Sequence, residues 1–180
     1  MAGDHPTYRR VIPTLKHFCA NNNEKERNNC SSNVTPRTLR EYYYRAFEAS
    51  IVRGGTGSMM TAYNELNGVP ACMNPDLKTL VKKQWGLEFI VTDGADFSQN
   101  VLSHHSHATH AEALAACLKN GCHIALDTDA HSTTQLQGNM PPLLAMLEEM
   151  QFPQELVVNA TRQNLVNELK LHGRICAEYI

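Results

Sequence analysis

The sequence lacks long hydrophobic runs and any concentration of charge of one sign. No apolar stretch approaches the roughly 20 residues that a bilayer-spanning helix requires, and residues 1–6 lack the basic-then-apolar form of a signal peptide. The 16 Lys and Arg residues are scattered among 18 Asp and Glu, which gives a formal net charge of -2 at pH 7. Nucleic acids and anionic membranes bind a concentrated basic field. We therefore expect a soluble chain with neither a nucleic acid nor a membrane as its partner.

The sequence also lacks a Cys-x-x-Cys pair, although it contains six cysteines. A domain of this length can bury a core without disulfides, so we expect the cysteines to be reduced. His104, His105, His107 and His110 form a dense cluster that could in principle bind zinc. Their spacing is irregular and no cysteine lies near them in sequence, which favours a surface loop. We predict no cofactor and no bound metal, and we keep metal binding by this cluster as the alternative.

Short apolar runs alternate with helical patterns along the 180 residues. Four strands are predicted, at residues 10–18, 58–63, 88–92 and 122–126. Five helices are predicted, at residues 36–52, 75–85, 109–119, 141–150 and 153–171. Such alternation produces parallel βαβ units with right-handed crossovers. The fold class is therefore α/β.

The loops that follow the strands are long and polar, whereas most turns after the helices are short. That asymmetry is typical of a β/α barrel, whose active site is assembled at the carboxyl ends of its strands. A complete barrel needs about 250 residues and eight strands, and only four strands are predicted here. We therefore expect residues 1–180 to form a single, incomplete TIM-type barrel domain. Its open sheet edge would allow self-association.

The hydrophobic run at residues 89–92 ends abruptly at Asp93, which is followed by glycine. A loop after the carboxyl end of a parallel strand is where α/β proteins place their chemistry. By itself, an aspartate at a strand end is more often a turn or helix cap. We interpret Asp96, Asp127 and Asp129 in that way, although Asp127 also follows a predicted strand and could line the same cleft.

Three blocks in the same order as in a known family change the interpretation of Asp93. They are Lys16-His17-Phe18, residues 60–71 (MTAYNELNGVPA) and residues 85–93 (WGLEFIVTD). The blocks resemble the Lys-His-Phe, Ser-Tyr-Asn-x-x-Asn-Gly-x-Pro and Trp-Gly-Phe-x-Gly-x-Val-x-Ser-Asp segments of glycoside hydrolase family 3. This family includes β-glucosidases and β-xylosidases, and the resemblance extends from Leu15 to about Leu171.

The resemblance implies a role for each of five residues. Asp93 would be the nucleophile, with Tyr63 beside it as a hydrogen-bond donor. Lys16, His17 and Arg27 would bind hydroxyl groups of the sugar. A retaining glycosidase needs such a carboxylate to attack the anomeric carbon, together with a second carboxyl group about 5.5 Å away as acid and base.

The chain departs from the family pattern in ways that bear on activity. In β-glucosidases of the family, the acid/base glutamate comes from a later domain. In another branch a histidine within Lys-His-Phe-Pro-Gly-His takes that role, and Cys19-Ala20-Asn21 breaks this motif here. The acidic residue that the family carries on earlier strands has no counterpart before Lys16. Glu112 is explained by a capping box with Thr109, so we expect the acid/base to lie outside this chain.

The predicted function is retaining hydrolysis of terminal β-D-glucosides through a glycosyl–Asp93 intermediate, with β-xylosides as the second choice of substrate. We expect little or no activity from the isolated chain. The alternative is a non-catalytic remnant that binds carbohydrate or metal.

Overall fold

The computed structural model describes residues 4, 9–94, 96–119, 123–128, 130, 132–135 and 140–171. The chain packs as two compact units, Met1–Ser106 and His107–Ile180. That all 180 residues form one incomplete domain stays a prediction. Among the described residues, no helix is long and apolar enough to cross a membrane.

The strands lie in the first unit, and most of them run parallel. They are β1 (Thr14–Phe18), β2 (Ser31–Ser32), β3 (Ser58–Thr61), β4 (Glu65–Leu66), β5 (Val69–Pro70) and β6 (Phe89–Val91). One sheet has the order β1-β3-β6 and is entirely parallel. A small second sheet has the order β2-β4-β5, in which β2 and β4 are parallel and β4 and β5 antiparallel. Self-association through an open sheet edge stays a prediction.

Helices connect and follow these strands. They are α1 (residues 36–53), α2 (Leu77–Lys82), α3 (Asp96–Leu102), α4 (His110–Lys119), α5 (Met140–Glu149) and α6 (Arg162–Leu171). The predicted cap of α1 is present, since the Thr35 hydroxyl accepts a hydrogen bond from the Thr38 N–H and Pro36 stands at the first position. The capping box predicted for α4 is present in one half, and the other half is displaced by one residue, from the Thr109 N–H to the Ala108 N–H. The Thr109 hydroxyl accepts from the Glu112 N–H, and the Glu112 carboxylate accepts from the Ala108 N–H.

The buried face of α1 differs from the one expected of a regular α-helix. Periodicity predicts Tyr43 in the core, but Tyr44 is the more buried residue at 2% exposure, and Tyr43 packs at the margin. The cause is a π-helical turn at Leu39–Tyr43, in which the Tyr44 N–H bonds the Leu39 carbonyl. A π-turn spaces residues of one face five apart instead of four, so Tyr44 follows Leu39 on the buried side.

An aromatic group joins this helix to the end of β1. Phe18 is fully buried and stacks on Tyr44 with ring centroids 5.3 Å apart, while Phe47 meets it edge-on at 5.0 Å. Trp85 packs edge-on against Tyr44 at 5.9 Å. Because Phe18 directly follows His17, this packing holds the end of β1 in place.

Three local predictions differ from the structure. A long polar loop was expected between the predicted strand at residues 88–92 and the predicted helix at residues 109–119, but this stretch contains α3, so that prediction is wrong. The predicted helix at residues 153–171 is divided into a 3-10 turn at Gln154–Leu156 and α6. In residues 122–126, Ile124 forms one isolated parallel bridge with Val157, and Cys122 lies outside the described residues.

Candidate active site

The carboxyl ends of β1, β3 and β6 meet at one edge of the parallel sheet. Their register pairs Phe18 with Thr61 and Met60 with Val91. Parallel strands in this register present their following loops on the same side, where α/β proteins bind ligands.

His17 and Asp93 come into direct contact at this edge. The His17 Nε2 atom lies 3.1 Å from Asp93 Oδ2, and the two side chains are 25% and 17% exposed. Since a carboxylate only accepts hydrogen bonds, Nε2 is the donor. The other oxygen, Asp93 Oδ1, accepts from the Gly94 N–H at 2.8 Å. The carboxylate is thus held at both oxygens while its side chain remains partly open to solvent.

Tyr63 reaches the same loop from the segment that follows β3. Its hydroxyl donates to the carbonyl of Gly94, the residue after Asp93. The resemblance implied a hydrogen bond to the nucleophile itself. The hydroxyl has one proton, and in this structure that proton goes to the backbone beside the carboxylate. Tyr63 therefore holds the loop that carries Asp93.

The two cations named by the resemblance occupy different environments. The Arg27 guanidinium lies over the Tyr63 ring, 5.2 Å from its centroid, and also pairs with Glu24 at 3.2 Å. Cation–π contact of this kind favours arginine. Lys16 is exposed and forms no hydrogen bond or ion pair within the described part of the chain. The structure thus joins His17, Tyr63, Arg27 and Asp93 through contacts, and it leaves Lys16 free.

Asn64 is a structural residue that the sequence analysis missed. It is fully buried, and its amide nitrogen lies within hydrogen-bond distance of the Cys19 carbonyl at 3.2 Å, the Ser32 hydroxyl at 3.2 Å and the Glu65 carbonyl at 2.8 Å. Through these contacts it ties the loop after β3 to the end of β1 and to β2. The sequence feature that could have identified Asn64 was its position in the Asn-x-x-Asn-Gly segment.

The second asparagine of that segment forms the turn between β4 and β5. Asn67 has a φ of 52° and Gly68 a φ of 79°, the left-handed conformation that asparagine and glycine tolerate best. The Asn67 side chain accepts from the Val34 N–H at 2.7 Å and donates to the Val34 carbonyl at 2.9 Å. The second half of the segment, Asn67 and Gly68, therefore shapes the turn between β4 and β5 and is not part of the site.

Replacing Asn64 by alanine is expected to destabilise the first unit by about 1–3 kcal/mol, because buried carbonyl groups lose their donor. Chemical denaturation followed by fluorescence of Trp85, the single tryptophan of the chain, measures this change. Asn22→Ala is the matched control, since Asn22 is exposed. Equal midpoints for the two variants would contradict the role given to Asn64.

Asp96 is the largest correction at the site. The sequence suggested a turn residue, and its N–H does bond the Asp93 carbonyl at 3.0 Å. Its side chain, however, is buried at 1% exposure and accepts from the Thr61 hydroxyl at 2.8 Å. Burial raises the pKa of Asp96 to about 6, with a further contribution from the negative charge of Asp93. The buried carboxyl group of Asp96 thus lies behind the partly exposed carboxylate of Asp93.

His104 lies in the loop after α3, as predicted for the histidine cluster, but its side chain is buried where a surface position was expected. Its side chain is 1% exposed, and Nδ1 lies 3.5 Å from Glu65 Oε1. Nε2 lies 2.6 Å from the Tyr63 carbonyl, which can only accept, so Nε2 carries a hydrogen. His104 therefore supports the loop that carries Tyr63. Among the described residues, no group of three or more His, Cys, Asp or Glu could hold a metal ion.

The remaining sequence candidates lie in the second unit. Asp127 is exposed and its carboxylate accepts from the Thr128 N–H at 2.6 Å, as expected of a turn residue. Asp129 lies outside the described residues. Among the described residues, Cys19, Cys30, Cys72 and Cys117 form no disulfide bond.

Two curated relatives match slightly less than half of the chain. A beta-glucosidase of Rhizobium radiobacter is 44% identical over 82 residues, which is 45% of this chain and 10% of that protein. A beta-glucosidase of Ruminococcus albus is 42% identical over 85 residues, 46% of this chain and 9% of that protein. This chain spans about a tenth of the length of either relative.

Solved structures match nearly the whole chain. An exo-beta-xylosidase in complex with a xylobiose aziridine probe has a TM-score of 0.65 at 20% identity, covering 97% of this chain and 22% of that one. Beta-glucosidase 3B from Thermotoga neapolitana in complex with glucose has a TM-score of 0.51 at 26% identity, covering 91% and 22%. The first likeness shows the fold alone, and it confirms the predicted partial β/α barrel.

The profile of the glycosyl hydrolase family 3 N terminal domain matches residues 1–166. That range contains both the parallel sheet and the loops at its carboxyl edge. The chain belongs to glycosyl hydrolase family 3.

Proposed function

We propose that this chain carries the nucleophile of a retaining β-glucosidase and that Asp93 is this nucleophile. The contact between His17 and Asp93 at the carboxyl edge of the sheet supports the proposal most directly. Two of the family's sequence blocks meet there, through residues 17 and 93, which are 76 positions apart in the chain, with a carboxylate that is held by two donors and still 17% exposed. A carboxylate used only to cap a turn would not need the imidazole of a distant strand.

In the proposed reaction, an Asp93 carboxylate oxygen bonds to the anomeric carbon as the glycosidic bond breaks and the leaving oxygen departs with the electron pair. Water then cleaves the glycosyl ester, which gives net retention of configuration. The Gly94 N–H and the Tyr63–Gly94 hydrogen bond hold the attacking carboxylate at a fixed angle to the sheet. Such positioning contributes a large part of an enzyme's rate enhancement.

The proposed substrate class is a terminal β-D-glucoside. The relatives in Rhizobium radiobacter and Ruminococcus albus are named beta-glucosidases, and the Thermotoga neapolitana structure contains glucose. Lys16 and Arg27 supply cationic donors for sugar hydroxyls, since Lys16 is exposed and the Arg27 side chain is 40% exposed. β-Xylosides are the second choice, because the family to which the chain belongs includes β-xylosidases.

The proton donor of the reaction is proposed to come from outside this chain. Asp96 is a second carboxyl group close to Asp93 in the chain, but at 1% exposure it does not face a sugar. Without general acid catalysis, worth about 10²- to 10⁴-fold, ordinary glucosides would be cleaved slowly. An activated leaving group needs no proton and isolates the nucleophilic step.

The test uses 2,4-dinitrophenyl 2-deoxy-2-fluoro-β-D-glucoside and the purified chain. The dinitrophenolate leaves without protonation, and the fluorine slows hydrolysis of the ester that forms. We expect peptide mass spectrometry to find one fluoroglucosyl group on Asp93. A label on another carboxylate would overturn the assignment.

The absence of any label, together with glucose binding measured by calorimetry, would favour the alternative of a non-catalytic carbohydrate-binding remnant. Binding of neither probe would reject both functions. Metal analysis of protein purified without a His tag tests the metal-binding alternative.

A further inference from the structure

Asp96 is a buried carboxyl group that the proposed reaction does not use. Its Oδ2 accepts from the Thr61 hydroxyl, and its N–H closes a turn on the Asp93 carbonyl. The residue therefore fastens the turn that begins at Asp93 to the end of β3. Its Oδ1 is buried and forms no hydrogen bond within the described part of the chain. A leucine or methionine would fill this space without the cost of burying a polar group.

The charges around Asp96 are arranged so that its ionisation depends on Asp93. Burial raises the pKa of Asp96, the Thr61 hydrogen bond lowers it, and the Asp93 charge raises it. His104 and the Cys72 thiol act in the lowering direction. The Cys72 thiol also donates to the Asn100 side chain, with Sγ 3.6 Å from Oδ1. Thr61 is therefore the main hydrogen-bond partner of the Asp96 carboxyl group. These groups come from β3, from the 3-10 turn at Ala71–Met73, and from the segment after α3.

We propose that Asp96 is a positioning residue for Asp93, because it fastens the turn that begins at Asp93 to β3 through Thr61. The proposal deepens the function proposed above and names a residue that acts through the nucleophile without touching substrate. Coupling between two groups is reciprocal. A change in the charge of Asp93 must therefore change the protonation of Asp96.

Carboxyl-carbon NMR of the purified chain tests the coupling without any turnover. The Asp96 signal is expected to titrate near pH 6. Asp93→Ala removes the neighbouring negative charge, so the midpoint should fall. Thr61→Val removes a hydrogen bond that favours the charged form, so the midpoint should rise, whereas Thr61→Ser should leave it close to that of the wild type. An unchanged midpoint in Asp93→Ala would overturn the coupling.

The positioning role is tested by the rate at which Asp93 is labelled with the fluoroglucoside. Thr61→Val is nearly isosteric but cannot donate, and we expect it to slow labelling by about 10- to 100-fold, as displacement of a reacting group does. Thr61→Ser should restore the rate. Normal labelling in a Thr61→Val variant that has lost only thermal stability would overturn the positioning role and leave Asp96 a purely structural residue.

A second readout separates this proposal from the proposed function. The ring nitrogen signals of His17, which contacts Asp93, should shift in Thr61→Val and not in Thr61→Ser. If the wild-type chain takes no label but these signals respond as stated, the positioning stands and the glycosidase function fails. If the wild-type chain is labelled but the signals do not respond, the positioning fails and the function stands.

Discussion

Asp93→Ala is expected to abolish labelling of the chain by the activated fluoroglucoside, a loss of about four orders of magnitude or more. The variant removes the two carboxylate oxygens that contact His17 and accept from the Gly94 N–H. Alanine is preferable to asparagine, because asparagine followed by glycine deamidates readily and would regenerate aspartate before Gly94. The release of dinitrophenolate, followed by absorbance, gives the rate, and intact-mass measurement gives the extent of labelling.

Asp127→Ala is the matched control for that experiment. Asp127 is also an aspartate that follows a predicted strand, but it is exposed and bonds only its neighbour's N–H in the described contacts. The Asp127→Ala variant should be labelled on Asp93 at the wild-type rate. Labelling of Asp93→Ala at the rate of the control would show that another group attacks the sugar, and Asp93 would then have to be given up as nucleophile.

Phe18→Ala is expected to destabilise the first unit by about 3–5 kcal/mol, the usual cost of removing a buried phenylalanine. Phe18 is fully buried and contacts Tyr44 and Phe47 in the group that anchors β1. The Trp85 ring packs on Tyr44, so the fluorescence of Trp85 follows unfolding of this group in urea. Because Phe18 adjoins His17, labelling of Asp93 should weaken even where the variant remains folded.

Tyr42→Ala is the corresponding control, since Tyr42 is an aromatic residue of the same helix that is 72% exposed. Its loss should cost about 1 kcal/mol or less. A loss of similar size in both variants would mean that the aromatic group around Phe18 contributes little beyond its surface neighbours. Normal labelling in a folded Phe18→Ala variant would show that the packing of β1 does not control the geometry of the site.

The His17–Asp93 contact has a consequence for sugar binding. The resemblance assigned His17 to a sugar hydroxyl, but here its Nε2 hydrogen faces Asp93. An arriving glucoside would meet an imidazole already oriented by the carboxylate. We therefore view His17 as a residue that orients Asp93 in the free chain, and its contact with a sugar remains a proposal.

Much of the fold followed from local pattern. Caps such as Thr35-Pro36 and Thr109 with Glu112 mark helix starts because a side chain a few residues away satisfies the exposed N–H groups. Apolar runs mark strands for a similarly local reason. The π-helical segments of α1, Leu39–Tyr43 and Ala49–Arg53, were not predictable, since this sequence has the composition of an ordinary helix.

The sequence by itself determined the family, the order of the first elements and the candidate nucleophile, because three blocks of residue types in one order suffice for these. The tertiary structure alone decided which polar residues stand behind Asp93. Asp96 and His104 lie in a polar stretch without period, and they are buried by contacts with Thr61 and Tyr63, 35 and 41 residues away. The burial of a single polar side chain depends on which distant groups pack against it, and the neighbouring residues in the sequence do not predict those contacts.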